Sequence, residues 1–167
     1  IENSISQEDL DSINNEYINF VNNKTNLIQL ARDNQKKLLS SINDMEMPNI
    51  FRANGMPFVV CDTTREIIYI TWADEENGNA DVWLVYSKDK GVSWSKKICI
   101  NETKGHQYFP NITLNQEDGD VYIAYYDQSL SSKSLFYDIS LSRFNLENPN
   151  QNELFRITSK SVPLPGK

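Results

Sequence analysis

Sliding the chain along itself by 53 residues lays Pro57 on Pro110, Ile70 on Ile123, Trp72 on Tyr125 and Asp74 on Asp127, with no gap across 18 positions. Self-similarity at a period near 50 residues constrains the fold more than any other feature. Each copy must be one supersecondary unit that cannot bury its apolar face alone and stacks on its neighbour to do so. Periodicity says what each unit contains. Phe58–Cys61, Ile67–Trp72, Val82–Tyr86 and Lys97–Ile100 are short runs rich in β-branched and aromatic residues, separated by Asp, Asn, Gly and Lys turns. The order returns in Ile112–Leu114, Val121–Tyr125, Ile139–Ser142 and Leu154–Ile157. Two four-stranded antiparallel meanders are therefore predicted, over about residues 54–101 and 107–158.

A four-stranded unit of this length is the size of a β-propeller blade, whose two sheet faces are both apolar because a neighbouring blade covers each. Trp72, Trp83, Trp94, Tyr69, Tyr86, Tyr122 and Tyr125 are bulky enough to fill the wedge between twisted sheets. The same rings are also candidates for an aromatic sugar platform. The fold class expected is mainly β with an N-terminal α-helical arm, the β part being a partial propeller.

The first 47 residues have a different grammar. Leu10, Ile13, Tyr17, Phe20, Leu27, Ala31 and Leu38 fall at helical spacing and form one amphipathic stripe. Ser6-Gln7-Glu8-Asp9 resembles a capping box at its start. Asn22–Asn26 strings together poor helix formers that compete for backbone hydrogen bonds, so the arm is one helix or a hairpin broken there. The stripe packs against the rest of the chain or serves as a partner-binding arm. Pro48 biases Met47 away from helical dihedrals and marks the junction with the β region, 48–167.

One motif is more specific than the periodicity. Ser87-Lys88-Asp89-Lys90-Gly91-Val92-Ser93-Trp94 has the form S-x-D-x-G-x-S-W between the third and fourth strands of the first unit. Ser and Asp side chains bond turn amides, Gly91 suits a positive φ, and Trp94 staples the hairpin to the sheet. With Ser87, Asp89, Gly91, Ser93 and Trp94 in place, the chain resembles the Asp-box, or bacterial neuraminidase repeat, of sialidase-like β-propellers. The resemblance spans roughly Asn54 to Thr158, about two blades. The second unit departs from it, since Ser142–Pro149 lacks both the Asp-x-Gly turn and the Trp. The resemblance implies a structural Asp-box facing away from the active centre and a six-bladed ring, of which this chain supplies two blades. The remaining blades are then expected from further sequence or from another chain, with Val162–Lys167 as an interblade linker.

The resemblance also frames the candidate site. A sialidase of this family needs an arginine triad, a Tyr and Glu nucleophile pair and an Asp acid/base. Phe51-Arg52-Ala53-Asn54 and Phe155-Arg156-Ile157-Thr158 are similar to the family's Phe-Arg-Ile-Pro motif, and both lack its proline. Arg156 falls in an outermost strand, which leaves Arg52 as the candidate channel arginine. Asp74 and Asp127 recur after the second strand of each unit and either cap loop amides or form a ligand-facing or cation-facing rim. His106, the sole histidine, and Tyr108 lie where the two units join. These five, Arg52, Asp74, His106, Tyr108 and Asp127, are the candidate binding residues. Asp118-Gly119-Asp120 reads as a hairpin turn and not a calcium loop, and no cofactor or metal is expected.

Charge and composition trim the alternatives. Sixteen Lys and Arg against 23 Asp and Glu give a net charge of −7 with no basic cluster, which disfavours nucleic acid as a partner. No apolar run approaches the roughly 20 residues of a membrane span. Cys61 and Cys99 sit inside apolar runs and read as small buried hydrophobes. The function expected is a glycan- or protein-binding or assembly module of sialidase-like type, extracellular or at the cell surface. The alternative is an exo-sialidase-type glycoside hydrolase whose other catalytic residues lie in further blades.

Overall fold

The computed structural model describes residues 7–39, 44–45, 53–54, 56–76, 78–101, 103–129, 136–149 and 152–164. Arg52, the Ser6 cap and the Pro48 junction lie outside them. The chain opens with one helix, α1 (Gln7–Leu39), of 33 residues. It runs unbroken through Asn22–Asn26, so the hairpin alternative is not adopted. The Thr25 hydroxyl turns back on its own helix and donates to the Val21 carbonyl at 2.9 Å, and Leu27 and Ala31 anchor the next turns. Tertiary docking here overrides weak local propensity. The predicted stripe is buried only in part, because Leu27 and Ala31 are covered while Tyr17 and Phe20 are 65% and 55% exposed. A helix this long spans about 50 Å, and its N-terminal half carries exposed Tyr17, Ile18, Phe20 and Val21.

A short ladder pairs β1 (Asp44–Met45) with β2 (Ala53–Asn54). Two antiparallel sheets follow. Sheet I is the meander β3 (Phe58–Asp62), β4 (Ile67–Asp74), β5 (Asp81–Ser87) and β6 (Ile98–Cys99). Sheet II is the meander β7 (Gln107–Leu114), β8 (Val121–Asp127), β9 (Phe136–Phe144) and β10 (Glu153–Arg156), with β11 (Val162–Pro163) returning to pair with Phe136 and Tyr137 of β9. All eight predicted strands are present. The fifth strand of sheet II corrects the expectation that Val162 and Pro163 belong to a linker. They continue the outer edge beyond a bulge held by the buried Asp138, which accepts from Arg156 (2.7 Å), Thr158 (2.7 Å) and Ser161 (2.9 Å).

The sequence repeat is a structural repeat. Val59 pairs with Ile70 as Ile112 pairs with Ile123, and Asp74 pairs with Asp81 as Asp127 pairs with Asp138. The offset is 53 residues in the first two strands and 57 in the last two, because the pair Asp127–Asp138 stands four residues further apart along the chain than the pair Asp74–Asp81. The outer strands repeat their bonding as well. The Ile100 amide donates to Val82 and the Ile157 amide to Ile139, each at 2.8 Å.

Side chains alternate across each strand, so each sheet has two faces. Face A of sheet I carries Val60, Ile67, Tyr69, Val82 and Leu84. It packs against Ile112, Val121, Ile123, Tyr125 and Phe144 on face B of sheet II to form the main core. Face B of sheet I carries Val59, Cys61, Ile68, Ile70 and Val85, and receives Leu27 and Ala31 of α1 together with Trp94. Leu27 and Ala31 thus realise the alternative in which the helical stripe packs against its own chain. Cys61 and Cys99 are not joined in a disulfide and are half-buried, not fully buried.

Candidate functional site

The stacked sheets have two ends. At one lie the β3–β4 and β7–β8 turns and the Ser87–Trp94 loop; at the other lie the β4–β5 and β8–β9 connections and residues 101–106, which join the sheets. Ser87, Asp89, Gly91, Ser93 and Trp94 build the loop at the first end. Ser87 Oγ donates to Asp89 Oδ1 (2.8 Å) and accepts from the Gly91 amide (2.8 Å). Asp89 accepts from the Ser93 amide (2.8 Å) and the Ser93 hydroxyl (2.5 Å). The Ser93 bonds, supported by Ser87, hold the Asp89 carboxyl down at about 2. Gly91 takes φ +87°, and a Cβ there would fall against the Asn34 side-chain amide of α1. Every motif residue is engaged within the loop or against the helix, so this loop is a structural device at the outer edge of sheet I.

The hairpin turns clasp each other at this end. Asp62 Oδ1 accepts from the amides of Thr64 and Arg65, and the Arg65 guanidinium reaches Asp62 (2.9 Å), the Gln116 carbonyl (3.3 Å) and the Glu117 carbonyl (3.1 Å). Asn115 Nδ2 donates to Asp118, and the Asp120 amide donates to Asp118 Oδ1, giving Asp118-Gly119-Asp120 the hairpin turn expected of it.

The opposite end gathers Asp74, His106, Tyr108 and Asp127. Its scaffold is a buried polar chain that sequence reading missed. Asn101 donates to Asp81 (2.8 Å) and to Gln107 (2.6 Å), accepts the Val82 amide (2.6 Å), and Gln107 donates to Asp127 (2.9 Å). Asp127 also accepts from the Ser129 amide (2.8 Å) and the Ser140 hydroxyl (2.8 Å). It is buried, so its carboxylate pins the connections and does not face a ligand. Asp74 is half-buried at the matching position of sheet I, so the two carboxylates do not act alike. Asn101 and Gln107 were signalled by their chemistry, being amides at the borders of apolar runs, where a buried amide must find partners.

His106 is half-buried, and its Nδ1 accepts the Ala80 amide at 3.2 Å. Its carbonyl accepts the Gln128 amide at 3.0 Å. Tyr108 is 1% exposed, packed on Ala73 and Ala80, so its ring is part of the core and cannot stack on a ligand. The ring that is presented is that of its neighbour Phe109. A β-bulge between Tyr108 and Asn111 interrupts the β7–β8 register, and Phe109 adopts φ +51°, a left-handed conformation rare for a bulky residue. Phe109 is 36% exposed and meets Tyr126 edge-on at 5.8 Å; Tyr126 stacks on Tyr108 at 5.6 Å and contacts Tyr137 at 4.7 Å. The Tyr108 hydroxyl, Ser129 Oγ and Thr103 Oγ1 are buried at the same end without a hydrogen-bond partner among the described residues. Burial pushes the Tyr108 phenol well above its usual range.

Among the described residues no group of His, Cys, Asp and Glu is arranged to hold a metal ion, and no helix is long and apolar enough to cross a membrane. Compared with known proteins, the chain matches no family model, no curated protein and no solved structure.

Proposed function

We propose that the chain is two blades of a sialidase-like β-propeller acting as a binding module, extracellular or at the cell surface, and that it takes a glycan at the end where the two sheets are joined. The blade reading is supported by two four-stranded meanders of matching register that meet head to tail, face A of one on face B of the other. The Ser87–Trp94 loop lies at the end away from the proposed site, as an Asp-box does. The observation that carries the ligand reading is Phe109. Backbone strain of this kind costs on the order of 1–3 kcal/mol and is retained where the displayed group is used. Here it displays an aromatic ring beside Tyr126, with the half-buried His106 at the same end. An apolar ring flanked by a few polar groups suits the C–H face and hydroxyls of a sugar.

The test is a glycan array probed with the full chain, followed by titration of the best hit. Phe109→Ala is expected to weaken binding at least roughly tenfold with the circular dichroism unchanged, which is about 1.4 kcal/mol. Phe109→Gly relieves the strain and removes the ring, so it is expected to keep the circular dichroism and lose binding. No bound glycan, or binding indifferent to both substitutions, rejects the proposal. Turnover of a fluorogenic sialoside would replace it with the hydrolase alternative.

A further inference from the structure

Sheet I gives face A to the seam and sheet II gives face B. Equivalent residues such as Tyr69 and Tyr122, or Ile70 and Ile123, therefore have different surroundings. This is a head-to-tail contact, which is not exhausted by one pairing: it leaves a face A at one end of the stack and a face B at the other. Face A of sheet II carries Tyr122, Ala124, Tyr126, Ile139 and Leu141, all half-buried. Phe155 and Ile157 on the same outer edge are 43% and 57% exposed. Face B of sheet I is the surface under Leu27 and Ala31.

We infer that α1 is an end cap: by lying on face B of sheet I, it keeps that face from face A of sheet II on a second copy of the chain, and so prevents head-to-tail stacking. The seam inside the chain identifies the occupant. It joins Tyr69 and Leu84 to Val121, Ile123 and Tyr125. The two outward faces hold the equivalents of these sets, Tyr122 and Leu141 on one and Ile68, Ile70 and Trp72 on the other. They are thus built to meet each other and not themselves. The cap is also lightly held. Among the described residues the helix–sheet cluster joins four buried apolar residues, whereas the sheet–sheet seam joins ten. Beside Ala31 the helix stands off the sheets over a groove of about 420 Å³ bordered by Ile28, Arg32, Val59, Cys61 and Leu114. The inference rests on the blade reading of the sheets and not on the glycan end, which Leu27 does not touch.

The experiment uses Leu27→Asp in the full chain, with alkylation of Cys61 reporting release of the helix and sedimentation reporting assembly. Cys61 should label faster than in the parent chain. The weight-average mass should rise at least roughly twofold across a twentyfold concentration range. Adding Leu141→Lys on face A should leave the fast labelling and return the mass to the parent value. Fast labelling with no gain in mass overturns the inference, and so does growth that Leu141→Lys fails to suppress, which is general aggregation. If Leu27→Asp loses its strand signal, Leu27→Ala takes its place. A strand signal lost there too, or labelling unchanged in both, overturns it as well, because a cap held at Leu27 must come away and leave the sheets intact.

Discussion

Thr158 donates its hydroxyl to Asp138 at 2.7 Å while accepting the Ile139 amide at 3.2 Å. Asn101 makes the same two bonds to Asp81 and to the Val82 amide in sheet I. A hydroxyl in one unit and an amide in the other thus do one job, which is to bond the third-strand amide that follows the shared buried carboxylate and to bond that carboxylate. Burial opposes ionisation of Asp138, and the bonds from Thr158, Arg156 and Ser161 outweigh it, leaving the carboxyl below its ordinary range.

Thr158→Val keeps the shape of the side chain and deletes both bonds. It is expected to cost about 1–3 kcal/mol in urea unfolding, the penalty for stranding buried polar groups. Thr158→Asn imports the solution used by sheet I and should recover at least half of that loss. Equal losses in the two variants would show that the equivalence is one of position alone.

Gly91 links the loop to the helix. Its φ of +87° strains any other residue, and a Cβ there displaces the Asn34 side chain. Gly91→Ala should destabilise by about 1–2 kcal/mol. Combining it with Asn34→Ala should return the steric share of that cost and leave the dihedral share. A double variant no more stable than the single one would assign the whole effect to backbone strain.

The β architecture was legible because alternation and β-branched runs specify strands wherever one face is buried, and Ile67–Trp72 with its counterpart does this without ambiguity. The change of offset from 53 to 57 was hidden. The third and fourth strands of the second unit, around Ser140 and Phe155, share little sequence with Trp83 and Ile98, and only pairing reveals the longer connection. β11 is two residues long and contains a proline, so it carries no periodic signal. Local propensity left Asn22–Asn26 open between one helix and a hairpin, and anchoring at Leu27 and Ala31 decides for one helix. At the joined end, the structure gathers Asp74, His106, Tyr108 and Asp127, but burial of Tyr108 and hydrogen bonding of Asp127 remove these two from contact with a ligand. Phe109 was missed because nothing in its residue type announces a positive φ.

Cys61 gives a further check on the helix. Burial pushes its thiol up to about 11, only partly offset by the Arg32 charge. At pH 8 that leaves on the order of a hundredfold less thiolate than a thiol at the ordinary value of 9.0. Alkylation of Cys61, mapped by mass spectrometry, should therefore be slow in the intact chain. Leu27→Ala, which hollows out the helix contact, should accelerate it at least roughly tenfold by exposing and ionising the thiol. Labelling as fast as in a denatured control would mean that the helix does not cover face B.

Asp89 predicts a pH dependence of known sign. Its carboxyl is held at about 2 against an ordinary 3.8, first by the Ser93 hydroxyl and amide and then by Ser87. A carboxyl depressed by folding stabilises the native state fully above its unfolded pKa and loses that contribution as pH falls through the native value. Asp89→Asn keeps the shape and cannot ionise, so the melting temperature of the parent chain should exceed that of the variant by a constant margin at neutral pH. The margin should start to close near pH 4 and be gone at about pH 2. Asp120 and Asp138 titrate in both proteins and cancel from the difference. A margin that persists unchanged at pH 2.5, or one that already closes above pH 5, would place the acid-sensitive group elsewhere and reduce the Ser93 contacts to geometry without energetic consequence.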